Sequence, residues 1–303
     1  MSIRFDGRVA VVTGSGNGLG RSHALALAEL GAKVVVNDFG GARDGSGGSS
    51  QAAENVVAQI RANGGETISN GANVTDPAQC QAMMAQALAQ WGRIDILINN
   101  AGILRDKSFA KMTAADWRAV VDVHLTGSAN CTMAAWNTLK ERNYGRILMT
   151  TSTSGLYGNF GQSNYGAAKM GVVGLMNTLV IEGAKNRIHV NCLAPTAATR
   201  MTEDILIPQM LDALRPEFVT PAALYLVSED APNRTIMLAG AGHYAVTELR
   251  ESEGMHLPQT ERTVDGIAAN FTAISDMANA TSYSDGREHV MKILSAAAKA
   301  AKS

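Results

Sequence analysis

Short unbroken apolar runs alternate along most of this chain with longer stretches whose apolar residues fall on one side of a helix. The runs cover Val9–Thr13, Lys33–Asn37, 94–98, 146–151 and 188–193. Continuous apolar runs predict strands of a parallel sheet buried on both faces, whereas half-exposed strands would alternate. The intervening stretches predict helices over 21–30, 50–62 (with Val56, Val57 and Ile60 on one side), 77–91, 113–139 and 165–182. Asp76-Pro77 opens the third of these and Thr113 is positioned to cap the fourth. Alternating β and α units at this spacing predict a doubly wound Rossmann α/β fold, in which ligands bind beyond the carboxyl ends of the strands.

Beyond Gly242 the pattern changes. Residues 245–262 are polar and irregular, helices are expected near 261–275 and 286–301, and no strand signal appears. Length alone, at about 150 residues per domain, favours two domains. The pattern instead assigns 1–245 to one dinucleotide-binding domain. It leaves 246–303 as a C-terminal extension too small for its own core, expected to pack on that domain or on a partner subunit.

Composition removes several function classes. Hydrophobic residues make up 46 % of the 303, which excludes intrinsic disorder. With 26 basic and 27 acidic residues the formal net charge is −1, so no global field recruits nucleic acid or an anionic membrane. No apolar stretch reaches the 18 or so residues of a membrane span. Cys80, Cys131 and Cys192 form no C-x-x-C pair and the six histidines no H-E-x-x-H, so neither a metal site nor a disulfide framework is expected. No secretory or peroxisomal signal is legible at the termini, which predicts a cytoplasmic protein. The 30 glycines concentrate in loops, and the run 40–48 reads as a flexible loop by composition.

Thr13-Gly14-Ser15-Gly16-Asn17-Gly18-Leu19-Gly20 lies between the first strand and the first helix. Glycines there let the backbone approach a pyrophosphate, and the helix N-terminus offers free N–H groups. Gly14, Ser15, Asn17, Gly18 and Leu19 are therefore candidate cofactor contacts. About 20 residues on, Asp38 closes the second strand, where its carboxylate can accept hydrogen bonds from an adenosine ribose. The same charge repels a 2′-phosphate, so NAD is expected over NADP, although Arg43 lies close by.

Three further features follow in order: Asn99-Asn100-Ala101-Gly102 after the third run, Ser152 after the fourth, and Tyr165-x-x-x-Lys169 on the next helix. Together with Gly-x-x-x-Gly-x-Gly they resemble the short-chain dehydrogenase/reductase family. The resemblance implies that Asn100, Ala101 and Gly102 pass beside the cofactor ribose and that Asn73 and Val74, where the family often has Asp-Val, lie near adenine. It also places Pro195 and Ala198 on the nicotinamide side, with Pro195-Thr196 in place of the family's Pro-Gly.

The residues themselves support proton-coupled hydride chemistry. At i and i+4, Tyr165 and Lys169 share a helix face. A phenol is mostly protonated at neutral pH, and a cation about 5 Å away favours the phenolate by roughly 3 kcal/mol at an effective dielectric of 20. Lys169 is thus expected to lower the Tyr165 pKa, Tyr165 to exchange the proton, and Ser152 to hold the substrate oxygen. His124 stands where the family has an asparagine of a lysine-linked proton relay; it either takes that role or is a packed helix residue.

A narrower resemblance, carried by 37–41, 102–109, 123–125, 157–162 and 239–242, is to the (3R)-hydroxyacyl-CoA dehydrogenase domains of peroxisomal multifunctional enzymes. It implies a small lipophilic substrate, an acyl-CoA or alternatively a 17β-hydroxysteroid, and a homodimer or homotetramer formed through helices 113–139 and 165–182. Residues 201–214, with apolar Ile205, Leu206, Ile207, Met210 and Leu211, would be the flap over the substrate. Arg105 and Lys107 are candidate CoA contacts. A non-catalytic NAD-binding module is the alternative from another class; retention of both Tyr165 and Lys169 argues against it.

Overall fold

The computed structural model describes residues 2–198 and 208–300. Eight strands form one sheet: β1 Val9–Thr13, β2 Lys33–Asn37, β3 Thr67–Asn70, β4 Ile96–Asn99, β5 Gly145–Thr150, β6 Ile188–Pro195, β7 Ile236–Gly240 and β8 His243–Thr247. Their order is β3-β2-β1-β4-β5-β6-β7-β8, with every pairing from β3 to β7 parallel. The chain builds outward from β1 to β3 and then returns to β4 on the other side of β1. That reversal opens a crevice at the carboxyl ends of β1 and β4, where doubly wound sheets bind ligands.

The apolar runs are continuous because the pleat sends alternate residues into two separate cores. Val12, Val34, Val36, Ile96, Ile98 and Leu148 enter one core, with Leu27, Val56 and Ile60 from the helices. Val9, Val11, Val35, Leu97, Ile147 and Met149 enter the other, with Met83, Leu139, Val172 and Met176. Each such side chain removed from water contributes roughly 1.5–3 kcal/mol.

The flanking helices are α1 Gly18–Glu29, α2 Gln51–Ala62, α3 Pro77–Trp91, α4 Ala114–Val121, α5 Gly127–Glu141, α6 Thr153–Leu156, α7 Ser163–Gly183, α8 Pro208–Ala213 and α9 Thr220–Tyr225. Asp76 caps α3 by accepting from the N–H groups of Ala78 and Gln79, and Gly92 ends the helix with φ of 70°. Thr113 caps α4 through the Asp116 N–H. The single helix expected over 113–139 carries one π turn at Asp122–Thr126, between α4 and α5. Such bulges often sit at functional sites, and this one carries His124.

Several expectations are corrected. Strands β3, β7 and β8 were not legible: β3 has only four residues, β7 is only partly buried and β8 is a largely exposed edge. A two-residue turn sets β8: Ala241 and Gly242 both take positive φ, 50° and 76°, the geometry of a hairpin. The strand expected from residue 94 begins at Ile96. Asp95 is instead fully buried, accepting from the Val9 N–H at 2.9 Å and pairing with Arg93 at 2.6 Å.

Two compact units are distinguished, Met1–Val246 and Thr247–Ser303. The second contains α10 Val264–Ile274 and α11 Gly286–Ala300, an antiparallel bridge between Glu251 and Thr281, and a 3.0 Å ion pair from Lys292 to Glu251. Among the described residues no helix is long and apolar enough to cross a membrane, and no His/Cys/Asp/Glu cluster could hold a metal ion.

One buried group sets a pH limit on this fold. His23 of α1 is 1 % exposed, with Nδ1 2.9 Å from Thr220 Oγ1, and burial pulls its pKa down to about 4. Between the ordinary value of 6.5 and about 4 the unfolded chain binds a proton that the folded chain refuses, so stability falls with pH across that window. The expected slope is up to about 1.4 kcal/mol per pH unit. Buried His124, also held neutral, adds in the same direction. Melting temperatures recorded from pH 7.5 to 4.5 should drop less steeply in His23→Asn than in the wild type; parallel curves would refute this assignment.

Candidate active site

The loop after β1 is held open by the loop after β4. Asn100 Nδ2 donates to the carbonyls of Thr13 and Gly14 at 2.9 and 3.0 Å, and Thr13 Oγ1 accepts from the N–H groups of Asn100 and Ala101 at 3.0 and 3.1 Å. Gly14, at φ 62°, passes so close that a Cβ there would lie 2.7 Å from Ala101 Cα. The opposite flank is held by Asp38. Its two carboxylate oxygens accept from the N–H groups of Gly16 and Gly40, both at 2.7 Å. A Cβ on Gly16 would collide with Asp38 Oδ2 at 2.7 Å.

The Ser15 hydroxyl turns inward, donating to Val12 O at 2.8 Å, so its side chain braces the loop. Asn17 makes no side-chain cap bond to α1, which leaves the first-turn amides available to an anion. A cradle that any Cβ would fill, uncapped amides and a carboxylate at the end of β2 together fit a dinucleotide.

One cleft of about 420 Å³ joins this cradle to the chemistry-bearing side chains. Gly14, Asn17, Gly18, Leu19, Asp38, Asn73, Val74, Asn100, Ala101, Gly102, Tyr165, Lys169 and Pro195, each a candidate from sequence, line it. Ser15, Ser152 and Ala198 do not; Ala198 instead donates its N–H to Leu214 O at 2.6 Å. Asn73 Oδ1 is engaged by the Thr75 N–H and hydroxyl, both at 3.0 Å. Flap candidates Ile205, Leu206 and Ile207 and the Met210 side chain lie outside the described residues, whereas Leu211 is half-buried.

Tyr165 and Lys169 project from α7, with Lys169 Nζ 5.5 Å from the tyrosine ring centre. Ser152 caps α6, accepting from the Ser154 N–H at 3.1 Å, with its hydroxyl beside Tyr165. Lys169 is only 3 % exposed and donates to Thr150 O at 2.6 Å. Burial pulls its pKa down to about 7, so it is only partly charged at neutral pH. Burial also raises the Tyr165 pKa, opposed by the Ser152 hydrogen bond. The expected lowering of Tyr165 by the lysine is therefore not what governs here, because desolvation acts on both groups at once.

His124 occupies the π turn, 2 % exposed, its ring edge-on to Tyr165 at 5.0 Å between centres and 89° between planes. Nε2 lies 2.8 Å from Ile103 O and 3.1 Å from Ile103 N, so either neutral tautomer keeps one hydrogen bond to that residue. Nδ1 and the neighbouring Thr150 Oγ1 have no hydrogen-bond partner among the described residues, and both residues line the cleft. The ring also explains Gly102: a Cβ there would overlap His124 Cε1. Gly102 borders the cleft, but this histidine alone demands a glycine.

A glycine cradle, a carboxylate at the end of β2 and the Tyr165–Lys169 pair on one cleft, with Ser152 at the start of α6, fit a nicotinamide-dependent oxidoreductase. The sequence profile of the short chain dehydrogenase family matches residues 8–208. The chain belongs to the short-chain dehydrogenase/reductase family. As a member it is a dehydrogenase/reductase acting on CH–OH groups, and the family generally binds NAD(P). A short-chain type dehydrogenase/reductase of Mycobacterium tuberculosis is 48 % identical over 274 residues, covering 90 % of this chain and 96 % of that protein. Peroxisomal multifunctional enzyme type 2 of Mus musculus is 47 % identical over 282 residues, 92 % of this chain but 38 % of that enzyme. This chain therefore spans well under half of the multifunctional relative. Among solved structures, a 7α-hydroxysteroid dehydrogenase complexed with NADH and 7-oxo glycochenodeoxycholic acid matches with a TM-score of 0.71 and 27 % identity, over 79 % of this chain and 95 % of that one.

Sequence reasoning missed part of this dehydrogenase cleft. Thr150 and Ile103 line it through contacts that no motif marks. Phe39, Gly41, Ala42, Arg43 and Gly45, from the loop read as flexible, form a further part of the wall. Arg105 and Lys107, candidate CoA contacts, also lie 3.8 and 2.7 Å from Asp116, and Arg105 lines the cleft.

Gly102→Ala is expected to destabilise the protein by about 1–3 kcal/mol, the cost of overpacking against a fixed ring. In a His124→Ala background the same change should cost at least about 1 kcal/mol less, a coupling measurable by a urea double-mutant cycle. Equal penalties in the two backgrounds would show that the ring is not the obstacle.

Proposed function

We propose that this dehydrogenase is NAD-dependent and interconverts (3R)-3-hydroxyacyl-CoA and 3-oxoacyl-CoA, carried above all by 47 % identity to the peroxisomal multifunctional enzyme across 92 % of this chain. Bound nicotinamide supplies or accepts the hydride. Tyr165 passes a proton to the ketone oxygen in reduction and takes the alcohol proton in oxidation. Its burial-raised pKa keeps it protonated at neutral pH, so reduction is served there and oxidation is favoured by alkaline pH. The Ser152 hydroxyl accepts from the Ser154 N–H and turns its own proton from Tyr165 to the substrate oxygen when a substrate sits beside the phenol. Lys169, anchored on Thr150 O, holds the ribose side of the cofactor. Asp38 selects NAD over NADP through its charge. Partners are a small lipophilic substrate and a second copy of the chain, paired through α5 and α7, where Met133 and Ile181 are exposed.

A second reading, a hydroxysteroid or other lipophilic-alcohol dehydrogenase with the same chemistry, is favoured by the likeness to the bile-acid complex. Turnover on a 3-oxoacyl-CoA and a 17-ketosteroid, measured side by side at the nicotinamide absorbance, separates the two; faster steroid turnover would displace the first reading. Tyr165→Phe should lose on the order of 10²–10⁴ in kcat while still binding NADH, and near-wild-type turnover would overturn the proton-transfer role. Asp38→Asn turns one amide N–H2 toward the N–H of Gly16 or Gly40. NADH affinity by fluorescence titration should fall about ten-fold, and the NADH-over-NADPH preference should shrink; an unchanged preference would remove Asp38 from cofactor selection.

A further inference from the structure

The loop joining β2 to α2 has the composition of a free linker, yet it is closed at its base and docked at its tip. At the base, Ser49 N donates to Phe39 O at 3.1 Å. Gly40, at φ 75°, lies so close to Ser49 that a Cβ would overlap its backbone. Within the loop, Ala42 N donates to Ser46 O at 2.7 Å. At the tip three contacts reach the segment after β4. Leu104 N donates to Arg43 O at 3.0 Å, and Arg105 Nε to Asp44 O at 2.9 Å. Gly45, at φ 87°, approaches Ile103 so closely that a Cβ would lie 3.2 Å from its Cδ1.

Topology gives this docking its meaning. In the sheet, β2 and β4 lie on either side of β1. A link from the end of β2 to the end of β4 therefore spans about 10 Å, two strand spacings, across the carboxyl end of β1. The glycine loop starts there. Residues from the loop and from the glycine cradle line the same cleft, so a dinucleotide on the cradle lies between them.

We propose that residues 39–49 are a strap closed over the dinucleotide, and that the strap must leave residues 103–105 for the cofactor to enter or depart. Two hydrogen bonds and one van der Waals contact join the tip to residues 103–105, and active-site loops typically open on the microsecond-to-millisecond timescale. Gly40 and Gly47, at φ 75° and 73°, supply pivots in a region of backbone space that only glycine enters freely. The inference rests on the dinucleotide reading of the cleft and adds to it a gate on cofactor exchange.

A gate restricts entry as well as exit, whereas a mere contact slows exit alone. Stopped-flow NADH fluorescence with full-length wild type and Gly45→Val, whose side chain would push the tip off Ile103, separates these cases. The expected result is that association and dissociation rates both rise, on the order of ten-fold, with Kd changing less than either. Ile103→Val, which removes the Cδ1 under Gly45, should move both rates the same way by less, and serves if Gly45→Val fails to fold. In parallel, NADH should slow hydrogen exchange at the amides of 40–49 and of Leu104. An unchanged association rate in both variants, or no change in exchange, overturns the strap. Wild-type titrations with NADH and NADPH come first. Binding of NADPH alone overturns the NAD assignment, and the strap is then read with NADPH; binding of neither overturns both.

Discussion

The hydrogen bonds from the Asn100 side chain to the carbonyls of Thr13 and Gly14 are the constraint on which the site depends. Strands β1 and β4 pair in register up to Val12 and Ile98. Beyond that point the two chains must part to leave room for a ligand, and their backbone carbonyls would lose partners. Asn100 supplies those partners from a side chain. The ladder can then end while the two loops stay in contact, and Gly14 can pass against Ala101 without collapsing the opening.

From that clasp the order of events along the cleft follows sterically. Ala101 and Gly102 leave β4 beside the cradle, Gly102 gives its vacant side-chain space to His124, and His124 sets its edge against Tyr165. The histidine can stand there because a π turn interrupts the helix joining α4 to α5. Ile103 presents both its N–H and its C=O to one ring nitrogen, so the ring is held in place in either tautomer, while burial keeps it neutral. Electrostatics are set by the same enclosure. Burial brings the Lys169 pKa down to about 7 and raises that of Tyr165, so desolvation, more than mutual attraction, leaves the amine partly charged and the phenol protonated at neutral pH. The near-zero net charge of the chain is compatible with an anionic cofactor because backbone amides and a helix end can hold phosphates without charged side chains.

Much of this was legible before any coordinates. The central strands announced themselves because both faces are buried, and the glycine loop, Asp38, Ser152, Tyr165 and Lys169 sit at fixed offsets from strand ends. What escaped notice has a common cause. The short edge strands β3 and β8 bury too little to leave an apolar run. Ser15 carries no mark in the sequence to say that its hydroxyl turns toward Val12. Gly102 was assigned to the cofactor because its motif is, although the ring that excludes a side chain there comes from a helix more than twenty residues away. The Asp116 carboxylate beside Arg105 and Lys107, the candidate CoA contacts, has no signature in the sequence.

Periodicity and local spacing, then, determined the fold class, the family and the residues that carry the chemistry, because each depends on neighbours a few positions apart. Tertiary structure alone decided how those residues behave. Lys169 loses part of its charge only because the sheet and α7 enclose it. The glycine-rich run after β2, a flexible linker by composition, becomes a wall of the cleft only because β4 delivers residues 103–105 within its reach. Contacts across the sheet order have no signature in a linear string, since strands adjacent in space, β1 and β4, are far apart along the chain.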